Sequence, residues 1–482
     1  MSRLSLTRAA LALACVGALA GCASMAPSYA RPDAPVPAAF ADSGAGGDIA
    51  DVATLDWRQV FLDPRLQQTI AQALDNNRDL RVAVLNIDKT RAQYRIQRAE
   101  LFPSVSVNGS ESASRSSAST SATGRSEVGR SYSAEVGVSS WELDLFGRIR
   151  SLKDEALETY LATAQTQRST RMSLVAEVAA DWLTVAADQQ RLALAQQTLD
   201  SQRRTLQLTD LQHQQGIVSG LDLAQVQSSV ESARADVASY TTQLATSRNA
   251  LDLVVGAPVA AETLPQASAL ESGVALAPLA SPLPSRVLLQ RPDVLYAEHT
   301  LKSANADIGA ARAAFFPTIS LTASTGRSST ALSSLFDAGN RTWSFVPSIS
   351  VPIFRAGALK AELDESKITR DVNVAEYEQA IQTAFSEVAD ALATRAQLDE
   401  RMDAQRALVA VTRRSYTLAD ARYRNGVDSY LDALDSQRSL YAAQQDLITL
   451  RLTEASNRVT LYKVLGGGAD AQSSEPVAEA TR

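Results

Sequence analysis

Apolar residues between about Arg148 and Gln215 step by seven, through Val178, Val185, Leu192, Leu199 and Leu206, with a lane of Met172, Ala179, Ala186 and Ala193 beside them. Sustained seven-residue spacing predicts coiled-coil packing, and small residues in the second lane let neighbouring helices approach closely. The stretch holds no proline and no interior glycine, so it reads as one helix about 100 Å long at 1.5 Å per residue. A matching helix is expected from about Gly357 to Asn425. Upstream, a helical segment from about Asp63 to Glu100 stops at Phe102-Pro103, because the residue before a proline disfavours helix.

Elsewhere the period drops to two. Val105 and Val107 alternate with Ser104, Ser106 and Asn108, and a Ser/Thr/Gly-rich stretch leads to Tyr132, Ala134, Val136 and Val138. The second half alternates Ile319, Leu321 and Ala323 with Thr318, Ser320 and Thr322. It then sets Trp343, Phe345, Pro347, Ile349, Val351 and Ile353 opposite Ser344, Ser348 and Ser350. These are two hairpins, at about 104–146 and 317–354. Strands of about ten residues that alternate apolar with small polar side chains fit an outer-membrane barrel with a wet interior. Four strands cannot close around a water-filled lumen, and open edges are not viable in lipid. Several chains must share one barrel, and three would give twelve strands.

The second half also repeats the first. Gly216, Ser219, Leu221, Asp222, Gln227, Ser229 and Gly256 recur 210 residues on as Gly426, Ser429, Leu431, Asp432, Gln437, Ser439 and Gly466, without a gap. An upstream echo at offset 214 carries Asp79, Arg98, Phe102 and Pro103 onto Asp293, Arg312, Phe316 and Pro317. Such a duplication suits a closed ring or tube. Each long helix should reverse at a glycine turn, with Gly216 and Gly426 in the left-handed conformation that closes a helix. The expected organisation is a signal peptide at 1–21, a tether at 22–56, a first repeat at 57–256, a linker at 257–285 in an equatorial belt, a second repeat at 286–466 and a disordered tail at 467–482. Order is expected to begin near Trp57 and Phe61.

Composition narrows the compartment and the chemistry. Arg3 and Arg8 precede an apolar run from Ala9 to Ala20, too short for a permanent span, which ends in Leu19-Ala20-Gly21-Cys22. Small residues before a cysteine resemble a bacterial lipobox, making Cys22 the lipidated first residue of the mature chain. Ala23, rather than Asp, follows it and implies the outer membrane. Two acyl chains anchor firmly at about 0.8 kcal/mol per buried methylene. With Cys15 in the cleaved segment, no disulfide is expected; His213 and His299 lack companions at metal spacing, so no metal or other cofactor is expected. The net charge is −7 with no basic run, which argues against nucleic acid. No phosphate loop or catalytic triad stands out, and Asp181 with Glu177 reads as a solvent-facing pair. An enzyme is not expected.

The lipobox, Asn77-Arg78-Asp79-Leu80 with Arg291-Pro292-Asp293-Val294, the two Phe-Pro strand starts, Trp141-Glu142-Leu143-Asp144-Leu145-Phe146-Gly147-Arg148 and Val351-Pro352-Ile353-Phe354 together resemble the TolC-like outer-membrane efflux family, in its OprM/NodT lipoprotein branch. The resemblance covers nearly all of the mature chain. It implies an α+β membrane protein: a homotrimer with a twelve-strand barrel in the outer membrane, continued by an α-helical barrel across the periplasm. It also implies a periplasmic adaptor and an inner-membrane, usually proton-driven, pump. Leu431 and Asp435, four apart on one helical face, then match the narrowest ring of the branch, and Asp432 another constriction carboxylate. Asp222 and Tyr423 match positions whose links between helix pairs hold the aperture shut. Where some relatives have an arginine two residues after the second-turn glycine this chain has Asp428, with Arg422 and Arg424 as candidate cations nearby. The expected function is a passive exit duct for drugs or other small toxic compounds, gated at its periplasmic tip. The alternatives are a duct for protein secretion or metal export, and a non-conducting lipoprotein that bridges envelope layers.

Overall fold

Both long helices form where they are expected, the first along the seven-residue spacing and the second as its match. In the computed structural model, which describes residues 24–40, 56–121, 124–266, 268–272, 274 and 283–467, the order begins with α1 (Trp57–Val60), α2 (Pro64–Asn76) and α3 (Arg78–Ala99). Strands β1 (Val105–Ser116) and β2 (Glu127–Glu142) lead into α4 (Arg148–Gln214), which reverses into α5 (Gly220–Val255). After α6 (Ala269–Ser272) the pattern returns as α7 (Pro292–Ala313), β3 (Thr318–Ser329), β4 (Arg341–Ser350), α8 (Ala358–Arg424) and α9 (Tyr430–Val464). The two long helices, α4 and α8, have the same length of 67 residues. Cys22, the signal segment and the tail from 468 lie outside the described residues.

Two compact units divide the chain. The first takes in the described residues of Met1–Asp33, Asn86–Ala164 and Tyr296–Tyr377. It holds one antiparallel sheet in the order β1-β2-β3-β4. The registers give every strand the same two faces. Val105 and Val107 pair with Val138 and Val136, these with Ala323 and Thr325, and these in turn with Phe345 and Trp343, all on one side. Ser106, Asn108, Ser110, Ser133, Glu135, Ser324, Ser344 and Ser348 occupy the other. On the polar face the hydroxyls of Ser110 and Ser133 lie 2.8 Å apart, and those of Ser324 and Ser344 2.9 Å apart. At the strand-to-helix junction Arg148 grips Glu142 with two bonds of 3.0 and 2.7 Å, Arg150 binds Asp144, and Phe146 stacks on Phe316.

The second unit takes in the described residues of Ala34–Leu85, Gln165–Leu295 and Glu378–Arg482. Its core joins Phe61, Leu66 and Ile70 to Val178, Trp182 and Val185 of α4, Leu251 and Val255 of α5, and Val459 and Tyr462 of α9. Val178, Val185 and Leu199 of the seven-residue lane are buried, as are Met172, Ala179 and Ala186 of the small lane, whereas Ala193 is exposed.

The segment expected as one helix from Asp63 to Glu100 is two, broken at Asn77 in an extended conformation. Its side-chain amide donates to Val254 O at the end of α5 while its Oδ1 accepts from Leu80 N. The second repeat has the same tie in different chemistry. Arg291, 214 residues on, donates to Val464 O at the end of α9 and binds Asp293 and Glu387. Val464 is itself the 210-residue echo of Val254, so each half secures its helical hairpin by the same carbonyl.

Chain order starts earlier than Trp57. Residues 24–33 dock within the first unit: Arg31 and the Tyr29 hydroxyl donate to Glu298, and Asn305 donates to Pro27 O. Residues 34–40 dock within the second, where Phe40 stacks on Phe385 and Ala39 bridges Pro284.

Candidate functional site

The residues singled out from the sequence gather at two turns of the second unit. In the first, Gly216 N–H donates to His213 O and Ile217 N–H to Gln212 O, both at 2.9 Å. In the second, Gly426 N–H donates to Tyr423 O and Val427 N–H to Arg422 O, again at 2.9 Å. This is the Schellman arrangement, and all four partners are related by the 210-residue offset. Gly216 and Gly426 have φ of +72° and +69°. A Cβ at either would meet no atom within 4 Å, so backbone conformation and not space demands glycine.

Ser219 and Ser429 then start α5 and α9. Asp222 accepts from the Ser219 amide at 3.1 Å and hydroxyl at 2.7 Å, while Ser219 Oγ accepts from Asp222 N, a reciprocal capping box. Asp432 accepts from the Ser429 hydroxyl at 3.0 Å. Both acids also sit in the first helical turn, where the helix dipole favours negative charge.

Beyond the turns the two copies part company. Tyr423 is buried and shares a hydrogen bond of 3.0 Å with Thr209 Oγ1, which ties α8 to α4. Its ring meets Tyr430 edge-on at 5.4 Å, and both pack with Val226, Ala433 and Leu434. The Tyr430 hydroxyl donates to Gln202, whose amide reaches Gln437. Asp222 is not brought into this cluster; its bonds to Ser219 stay within its own turn. Tyr430, Thr209, Gln202 and Gln437 escape a sequence reading because polar residues on a long helix look solvated. A signal exists nonetheless: Tyr423 and Tyr430 stand where the first copy has His213 and Gly220, so they are departures from the repeat.

Asp428 finds its cation in Arg422, which engages both carboxylate oxygens across the turn; Arg424 turns instead to Asp420 at 2.9 Å. The Arg422 hydrogen bonds hold the Asp428 carboxyl below the usual carboxylate range. Val218 occupies the matching place in the first turn.

With Tyr430, Ala433 and Leu434 packed inward, the rest of the first turn of α9 faces out. Leu431 is 56 % exposed, and Asp432 and Asp435 are exposed beside it. Each protomer therefore presents an apolar side chain and two carboxylates on one uncovered helical face. Asp181, expected to face solvent, is half-buried next to Trp182, and burial followed by the nearby Glu177 raises its pKa; Glu177 itself is exposed.

The family described as outer membrane efflux protein matches residues 69–257 and 283–467. The chain is 49 % identical over 468 residues to the antibiotic efflux pump outer membrane protein ArpC of Pseudomonas putida, covering 96 % of each. It is equally similar, with the same coverage, to the toluene efflux pump outer membrane protein TtgC of Pseudomonas putida. Among solved structures, the open state of the Neisseria gonorrhoeae MtrE outer membrane channel superposes with a TM-score of 0.85 at 38 % identity, covering 93 % of this chain and 99 % of that one.

Proposed function

The chain belongs to the outer membrane efflux protein family, and on that premise we propose that three copies build one gated exit duct. Its activity is efflux and its place is the outer membrane, with helices extending into the periplasm. The observation that carries the trimer is the two-faced, four-stranded sheet. Among the described residues β1 and β4 each pair on one side only, and lipid tolerates no such open edge. Three copies complete twelve strands, turning the valine, phenylalanine and tryptophan face to the acyl chains and the serine face to water.

The gate is the exposed start of α9. Three copies of Asp435 around one axis repel one another and draw in cations. Three copies of Leu431 add a constriction that gates by dewetting. The Tyr423–Thr209 bond and the Arg422–Asp428 pair hold the helices behind that ring in place. Family resemblance supplies the other parts: a periplasmic adaptor, and a pump in the inner membrane, proton-driven, that selects the cargo. Relatives named for antibiotic and toluene efflux favour small, largely apolar toxic compounds as that cargo. Lipidation at Cys22 adds a second hold on the outer membrane. The chain's part is conduction rather than catalysis.

Single-channel conductance of the purified protein in a planar bilayer tests this. Small cation-selective openings that enlarge when Asp432→Ala and Asp435→Ala are combined are the expected result. Unchanged conductance and cation block in the double variant would remove the gate from α9. No conductance in either form, with insertion verified, would replace the duct with an envelope-bridging lipoprotein.

A further inference from the structure

An apolar groove of about 490 Å³ in the first unit is lined by Met25, Arg312, Phe315, Phe316 and Leu363. Phe315 and Phe316 are each about two-fifths exposed, a costly position for two adjacent aromatic rings if water alone covers them. The polar wall member is already engaged, since the Arg312 guanidinium donates to Met25 O at 2.9 Å. We propose that this groove receives an acyl chain carried on Cys22. The proposal rests on reading Cys22 as the lipidated residue.

What commits the groove to this occupant is the way the chain enters it. Met25 is itself a wall, and Cys22 lies three residues upstream, within about 11 Å even if fully extended. The entry is fixed at successive residues. The Ser24 and Ser151 hydroxyls approach to 3.4 Å, Arg312 holds Met25 O, and Asn305 holds Pro27 O at 2.7 Å. Ala26 lies so close to α7 that a Cβ on Gly309 would fall 2.7 Å from its nitrogen and 2.5 Å from Ser151 Oγ. Gly309 is therefore the residue that lets the strap lie down. The level fits as well. Phe316 and Pro317 directly precede β3, so the groove stands where the apolar band of the strands begins. An acyl chain starting beside Met25 meets an apolar surface at once instead of crossing headgroups unsheltered.

Photocrosslinking of the full-length protein purified from bacterial outer membranes tests the idea. A Phe315→p-benzoylphenylalanine variant and a Leu363→p-benzoylphenylalanine variant are irradiated and digested, and the Cys22 peptide is followed by mass spectrometry. Ile353, fully outside the groove and 94 % exposed, serves as the control position. The expected result is that the acyl group of the Cys22 peptide crosslinks to positions 315 and 363 and not to 353. A Gly309→Leu variant should keep acylation and trimer formation while losing those crosslinks at least several-fold. An acylated Cys22 whose lipid never reaches 315 or 363, with free phospholipid or a second copy of this chain captured there instead, overturns the proposal while leaving lipidation intact. An unmodified Cys22 peptide overturns both together.

Discussion

Asp428 shows how one substitution within a repeated turn changes its chemistry. Arg422 depresses its carboxyl pKa, so the pair contributes fully above the unfolded carboxylate value of about 3.9 and is lost as pH falls through the lower, folded value. Hydrogen-exchange protection factors at Val427 and Ser429, which remove the intrinsic pH dependence of amide exchange, should thus stay constant from neutral pH to about pH 5 and fall only in stronger acid. Asp428→Asn should abolish that acid step while leaving exchange at Ile217 unchanged. The Tyr423 hydroxyl acts in a different way, because its partner Thr209 is fully buried. Tyr423→Phe takes this partner from the buried Thr209 hydroxyl and should cost about 1–3 kcal/mol, read as a lower unfolding midpoint together with more frequent spontaneous opening in the bilayer.

At the scale of elements, the turns and the sheet make separate demands. Gly426→Ala and Gly216→Ala should each destabilise by about 1–2 kcal/mol, since the added methyl has room but the left-handed backbone does not suit it. Chemical denaturation should give nearly equal values for the two, as the backbone bonding is duplicated. In the sheet, Phe345→Arg should cost about 2–4 kcal/mol of folding into vesicles if it lies near the bilayer midplane. Ser344→Arg, one residue away on the serine face, should change folding little and conductance markedly. The strands and long helices were legible because periods of two and seven survive any tertiary context. The break at Asn77 was not, because an asparagine between two helical stretches reads the same whether its amide meets water or Val254 O. Nor was the docking of residues 24–33. A Pro/Ala-rich stretch shows no period, and what fixes it lies in Gly309, Asn305 and Glu298, more than 260 residues away in the sequence.

For the whole molecule, the duplication outweighs every local signal. It joins the sheet across the repeat boundary through β2 and β3, and it secures each helical hairpin by Val254 O or Val464 O. Where the copies differ, at Tyr423, Asp428, Tyr430 and Asp435, it marks the second turn off from the first. Native mass spectrometry in detergent should find the protein as an intact trimer, and a protomer distribution dominated by monomers would remove the shared barrel. Two bearings of one backbone design have thus diverged into a plain one and a latched one. In the trimer proposed above they would alternate around the axis, so a mouth built from them would have six turns but only threefold symmetry of chemistry. A partner docking there by reading side chains would then have three equivalent settings and three decoys, and a ring of six identical partner tips would meet two kinds of seat.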